Sequence, residues 1–230
     1  MNEQKQALLL IGSAKHPSST SHSLGKYLLE RLETQGFQTE TIFLHKIIHH
    51  AQQTSLLLQS VEKASHLIFS FPLYVDSQPY QVSRAMELIF EHYQHSQGAQ
   101  EKQAAFIVNC GFPEAAHNCT ALAICERFAI ETGFQWAGGL SLGGGEAIGG
   151  ESLEKRGGMV RNVMQALDIA ADALAAGQKI PEEAINLMAK PFIPGWMYTL
   201  FGNMSWRREA KRHGVLRNIS DCPFNQAQSE

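Results

Sequence analysis

The segment ALLLIGSAKHPSSTSHSL, residues 7–24, passes from one kind of chain to another without a gap. Ala7 to Ile11 is an unbroken apolar run, Gly12-Ser13 interrupts it, and a polar stretch with Ser18, Ser19, Thr20, Ser21 and Ser23 runs into helical spacing. An apolar run without polar alternation reads as a strand covered on both faces. A strand that feeds a hydroxyl-rich loop at a helix start gathers free backbone N–H groups and the positive end of the helix dipole. It can hold a phosphate without a cluster of fixed cations. Lys15 is the one full charge in this loop.

Two phosphate motifs fail here on their mechanics. A nucleoside triphosphate loop needs Lys-Ser/Thr directly after a helix-opening glycine, and Gly12 is the only glycine before Gly25. The three glycines that bring a dinucleotide pyrophosphate onto the backbone are also missing. A single phosphate monoester held by hydroxyls and amides fits what remains. The competing reading is that Ser19 to Ser23 only cap a helix, which accounts for one hydroxyl and not for the five from Ser18 to Ser23.

Downstream, strand and helix alternate. Leu24, Leu28 and Leu32 mark the inner face of the first helix, closed by Gly36, and Phe37 to Leu44 reads as a strand with polar Gln38 and Glu40. Thr54 to Ala64 is the second helix and His66 to Phe71 a short apolar strand. Pro79 suits the first position of a third helix with Val82, Met86, Ile89, Phe90 and Tyr93 inward. Gln103 to Cys110 is a fourth strand, Glu114 to Thr132 a helix with Leu122, Cys125 and Ala129 inward, and Gln135 to Leu142 a fifth strand. Leu153 to Ala176 is one more long helix, weakened early by Gly157-Gly158 and closed by Gly177. Five strands, each followed by a helix, predict an α/β domain over residues 1–178, a parallel sheet covered on both faces, with 179–230 as a helical C-terminal extension.

At 230 residues, 44% hydrophobic and 18% charged, the chain has the make-up of a soluble globular protein, and a formal charge of -3 gives no global pull toward nucleic acid. Cys110, Cys119, Cys125 and Cys222 match neither a zinc ribbon nor a disulfide framework, and no secretory signal opens the chain. A reducing cytoplasm is the expected compartment. No apolar run reaches the length of a transmembrane segment.

In a sheet of this kind ligands sit beyond the carboxyl ends of the strands, where the strand order reverses, so the loops after strands one, three, four and five should share one site. The first spans Ser13 to Ser23. The third is Phe71-Pro72-Leu73-Tyr74-Val75-Asp76-Ser77-Gln78-Pro79, the fourth Asn109-Cys110-Gly111-Phe112-Pro113-Glu114, and the fifth Gly143-Gly144-Gly145-Glu146. Apolar and aromatic groups dominate the third and fourth, which suits a flat aromatic ring better than a hydrolytic centre.

Gly12-Ser13 with Ser19-Thr20-Ser21, Pro72-Leu73-Tyr74 before a Pro-initiated helix, and Asn109-Cys110-Gly111-Phe112-Pro113-Glu114 together resemble the flavodoxin-like NAD(P)H-dependent FMN reductases and quinone reductases. The resemblance runs from about residue 7 to about residue 176. It implies a flavodoxin-like, doubly wound sheet of order 2-1-3-4-5, FMN as cofactor, and NADPH or NADH as electron donor. It also implies a quinone-like, flavin or other small-molecule electron acceptor and a homodimer or higher homo-oligomer. Carried over residue by residue, it has Ser13, Lys15, Ser19, Thr20 and Ser21 holding the FMN phosphate, and Pro72, Leu73 and Tyr74 packing along the isoalloxazine edge. Val75 and Asp76 would offer backbone amides, while Asn109, Cys110, Gly111 and Phe112 would border the ring on its other side. A frequent family form has Pro-Arg after Gly-Ser; here Ala14-Lys15 supplies the charge without the planar fork. Hydride transfer is then the flavin's own chemistry, and the resemblance implies no catalytic side chain.

Other residues read more plainly. A free buried cysteine such as Cys110 behaves as a small apolar residue. His45, His49 and His50 have no cysteine or carboxylate at ligand spacing and read as a solvated turn, not a metal site. The loop with Gly144, followed by Gly149-Gly150, lacks the third dinucleotide glycine, since Ile148 stands there, and reads as lining the flavin or nicotinamide pocket. Pro181 to Ala189 is a further helix. Pro191 to Trp206 carries Phe192, Trp196, Met197, Tyr198, Leu200, Phe201, Met204 and Trp206, followed by Arg207, Arg208, Lys211 and Arg212. Its prolines and glycines break the stretch too often for a long interfacial helix and predict packing on the core or a partner subunit, with contact between residues 191–213 and a membrane surface as the alternative. Two functional alternatives stay open: an electron-transfer protein of the flavodoxin type that binds FMN without oxidising pyridine nucleotide, and a non-redox phosphate-ester binder or hydrolase.

Overall fold

The computed structural model of the chain describes residues 5–15, 18–48, 51–94, 101–191 and 194–222. β1 (Gln6–Ile11) is buried almost throughout because both of its faces are covered: Ala7, Leu9 and Ile11 enter one core layer, Leu8 and Leu10 the other. β2 (Gln38–Phe43) lies on one side of it and β3 (His66–Pro72), β4 (Gln103–Asn109) and β5 (Gln135–Leu142) on the other, every pair parallel. The strand order is β2-β1-β3-β4-β5, as the resemblance implied. β2 keeps Gln38 and Glu40 because it is an edge strand; Glu40 accepts a hydrogen bond from Ser60 Oγ at 2.8 Å.

The layer on the Leu9 face is built by α1 (Thr20–Thr34), α5 (Arg161–Ala175) and α6 (Glu182–Ala189), which contribute Leu24, Leu28, Leu32, Leu167, Ala184 and Met188. On the opposite face α2 (Ala51–Lys63), α3 (Tyr80–Tyr93) and α4 (Cys119–Thr132) contribute Leu57, Val61, Val82, Ile89, Cys125 and Phe128. Phe69 stacks on Phe106 with ring centroids 5.0 Å apart, and Phe128 meets Phe69 edge-on at 5.9 Å. These offset and T-shaped pairs satisfy the ring quadrupoles while filling the centre of that layer.

Four local expectations shift. Pro79 stands at the N-cap of α3 rather than inside it, and Ala85 joins the buried face while Phe90, half-buried, packs against the same core layer. The helix expected from Glu114 begins as a 3-10 turn over Ala115–Asn118, because the buried Asn118 amide donates to the carbonyls of Val108 and Leu142 and holds that turn against the strand ends. The helix expected from Leu153 is divided. Leu153–Val160 is 3-10, with Gly157 at φ 57°, and only Arg161 opens the α-helix. The tail, expected to be too broken for a long helix, contains α7 (Gly195–Arg212) in one piece. Pro194 precedes it as N-cap, where no N–H is needed, and a lone internal Gly202 costs only about 1 kcal/mol.

The chain forms two compact units, residues 1–192 and 193–230, and α6 belongs to the first. His49, His50 and Phe192 lie outside the described residues. Among the described residues no group of His, Cys, Asp and Glu is placed to hold a metal, and all four cysteines are free.

Two predictions follow from this packing. At Gly12, the exit of β1, a Cβ would lie 2.7 Å from Phe71 Cβ and inside the radius of Val82 Cγ2. Gly12→Ala should therefore destabilise the fold by about 1–3 kcal/mol in urea denaturation, with Val82→Ala relieving part of the loss. His66 is buried at the start of β3, with Nε2 3.0 Å from the Leu174 carbonyl, so the neutral ring donates there. Burial holds its pKa below the ordinary histidine value. Below the unfolded-state pKa the unfolded chain then binds the extra proton, so stability falls as pH is lowered through that range. The urea midpoint should drop between about pH 7 and pH 5, and His66→Gln should flatten that drop.

Candidate functional site

The order of the sheet reverses at β1, whose two neighbours, β2 and β3, are reached by chain running in opposite directions. A cleft of about 380 Å³ opens at this point, beyond the carboxyl ends of the strands. It is lined by Ser13, Lys15, Ser18, Ser19, Thr20 and Ser21 from the loop after β1, by Pro72, Leu73 and Tyr74 after β3, by Asn109, Cys110 and Gly111 after β4, and by Glu146 and Gly149 after β5. The four loops that the sequence places around one site do meet there.

The hydroxyls divide into those with spent protons and those with free ones. Ser19 is the N-cap of α1: its Oγ accepts from the backbone N–H of His22 at 3.2 Å. Ser13 Oγ accepts from the N–H of Lys15 at 3.3 Å, and Ser21 Oγ accepts from Asn109 Nδ2 at 2.8 Å. Each of these three uses a lone pair and keeps its own proton. Thr20 differs, because its Oγ1 donates to the carbonyl of Gly145 at 2.7 Å. The first-turn amides of α1 have no intrahelical acceptor, and no acidic residue stands in that turn to compete with an incoming anion.

Side-chain amides and hydroxyls fix the walls. Asn109 donates both to Ser21 Oγ and to the Phe71 carbonyl at 3.1 Å, Gln81 Nε2 donates to the Gly12 carbonyl at 2.7 Å, and Ser70 Oγ donates to the Ser21 carbonyl at 2.7 Å. Gly150 lets the fifth loop lie directly against the first. A Cβ there would come within 2.6 Å of Ser18 Cα, and its φ of 76° suits glycine alone.

Four of the residues singled out from sequence are not among the lining residues. Val75 and Asp76 form the tip of a two-residue turn closed by reciprocal Tyr74 and Ser77 backbone bonds, with φ of 50° and 57°. The Phe112 ring rests on His117, centroids 4.5 Å apart. Gly144 donates its N–H to the Phe112 carbonyl at 2.6 Å and so ties the fifth loop to the fourth. The lining residues that sequence reasoning did not select are Ser18, Glu146 and Gly149. Their signal was adjacency: Ser18 precedes the N-cap, and Glu146 and Gly149 bracket Ile148 in the glycine-rich fifth loop.

The electrostatics are sparse. Lys15 is exposed, and it and Glu146 are the full charges among the described lining residues. Burial pushes the Cys110 thiol above the usual cysteine pKa, and its Sγ points at the Phe112 carbonyl 3.5 Å away, so it is a protonated packing group. An anion in this cleft has to be held by amides and hydroxyls. The rest of the lining is apolar or backbone and offers no nucleophile beside a base.

Comparison with solved structures agrees with this topology. An NADH:FMN oxidoreductase in its apo form matches at TM-score 0.56 and 16% identity, over 83% of this chain and 97% of the other. An FMN-dependent NADH-azoreductase from Bacillus anthracis, solved in complex with FMN, matches at TM-score 0.55 and 13% identity, over 75% of this chain and 100% of the other. An NAD(P)H:quinone oxidoreductase from Methanothermobacter marburgensis matches at TM-score 0.56 and 13% identity, over 75% and 96%. At such identities the likeness is one of fold. No curated protein matches in sequence. The model of the Flavodoxin_2 family, described as a flavodoxin-like fold, matches residues 5–133, more than half of the chain, and with the observed strand order it makes this protein a member of that family.

Proposed function

We propose that the cleft binds FMN and that the protein is an oxidoreductase taking hydride from NADH or NADPH and passing electrons to a small acceptor such as a quinone or a flavin. One observation carries the reading: the amide end of α1 with its hydroxyls, the apolar edge Pro72-Leu73-Tyr74 and the backbone at Asn109–Gly111 line one and the same cleft. The first suits a phosphate monoester, the second and third a flat ring. The proteins of like fold named above, two FMN-dependent or FMN-reducing and one a quinone oxidoreductase, point the same way.

The residues fit the group by their donor set. Ser13, Ser19 and Ser21 retain hydroxyl protons for phosphate oxygens, Thr20 contributes its backbone N–H, and Lys15 adds a screened charge. Asn109 keeps Ser21 oriented, so that its lone pair is occupied and its proton points elsewhere. Pro72, Leu73 and Tyr74 would exclude water along one ring edge. When bound, FMN supplies the hydride-accepting and hydride-donating chemistry. The chain's share is to position the ring and leave a face open to donor and acceptor in turn, for which no side chain has to move a proton.

Purified protein should show flavin absorption bands, with FMN as the extracted cofactor. Anaerobic mixing with NADH or NADPH should bleach those bands within seconds; flavin bands that persist would make the chain an electron carrier of the flavodoxin type, and no flavin binding at all would remove the reading. Ser13→Ala with Ser21→Ala should weaken FMN by at least about tenfold per hydroxyl in fluorescence titration, each lost bond to a charged group being worth about 1.5–3 kcal/mol. Thr20→Val should instead lower the melting temperature and leave FMN affinity within about threefold, because its proton serves Gly145.

A further inference from the structure

α7 is the longest of the described helices, at 18 residues, and it buries none of its side chains. Trp196, Leu200 and Met204 recur every fourth residue and so share a side; they are 70%, 50% and 59% exposed. Arg207 and Lys211 continue the same side toward the C-terminus, flanked by Arg208 and Arg212. The opposite side carries Gly202, Ser205 and Glu209 together with Tyr198 and Trp206, the latter 73% exposed. Glu209 is the helix's one carboxylate, and it is engaged by His213 at 3.0 Å and Arg212 at 3.7 Å. One stripe therefore changes along its length from large apolar groups to cations, in a chain whose formal charge is -3.

We propose that α7 docks on an anionic phospholipid surface, with its first turns entering the boundary between headgroups and acyl chains and its last turn held by headgroup phosphates. The stripe fits such a surface because a bilayer presents an apolar layer and an anionic layer side by side, and tryptophan settles at that boundary. A second copy of α7 fits poorly. Paired in parallel, the two helices would bring their cations together; paired antiparallel, each cationic end would lie over the partner's apolar turns and lose water without gaining a counter-charge. No helix among the described residues is long and apolar enough to cross a membrane, so the contact lies along the surface.

The test uses the full chain and sedimented vesicles of phosphatidylcholine alone or with about 30% phosphatidylglycerol. Binding to the anionic vesicles should exceed binding to neutral ones at least about tenfold, should be lost on raising the salt toward about 1 M, and should shift tryptophan emission to the blue. Leu200→Glu with Met204→Glu should abolish it. Arg207→Gln with Arg208→Gln, which leaves the apolar stripe intact, should weaken it several-fold. Equal binding to both vesicle types, or none, overturns the proposal. So does a wild-type dimer without vesicle affinity that falls to monomer in the Leu200→Glu, Met204→Glu variant, which would assign the stripe to a protein partner. None of these readouts depends on flavin.

Discussion

The side-chain amide of Asn109 joins three segments at the place where the strand order turns back. It donates to Ser21 Oγ and to the Phe71 carbonyl, so β4, β3 and the first turn of α1 are held by one planar group. Parallel strands end in carbonyls and amides that have lost their ladder partners, and buried ones need new partners. Here the carbonyls are served from side chains: Gly12 by Gln81, Ser21 by Ser70, Gly145 by Thr20, Phe71 by Asn109. With the acceptors satisfied internally, donors are what the end of the sheet has left to offer. That asymmetry is what the proposed binding of an anion in the cleft would draw on.

Most of the architecture was legible because its cause is local. The unalternated run at Ala7–Ile11 demands cover on both faces, and the structure gives it two core layers. Leu24, Leu28 and Leu32 recur at helical spacing and are fully buried. What was hidden depends on distance through space. Nothing near Gly150 in sequence announces that Ser18 presses on it, nor does the spacing of Tyr74 and Ser77 reveal that they pair and carry Val75 and Asp76 to the tip of a turn. The division of the expected helix at Gly157 was half visible as a weak point. The continuity of α7 was obscured by counting prolines that precede the helix as though they interrupted it.

The two readings of the serine-rich segment, capping and anion binding, are compatible because a hydroxyl has two kinds of capacity. Ser19 caps α1 with a lone pair, and its proton is not used in doing so. The same holds for Ser13 and Ser21. Thr20 sits among them with the opposite assignment, its proton committed to the fifth loop, and Ser23 returns its proton to the Ser19 carbonyl one turn back. Five similar side chains thus separate into hydroxyls that keep a proton and clasps that spend one, a distinction residue type does not carry.

Charge explains why such a division is needed. Lys15 is exposed to solvent and screened, and Glu146 stands in the same lining with the opposite sign, so net attraction for a phosphate is small. A cleft built on fixed cations would draw any polyanion and would weaken steeply with salt. One built on amides and hydroxyls at set distances selects by shape, because each donor contributes only where an oxygen falls within hydrogen-bond reach and angle.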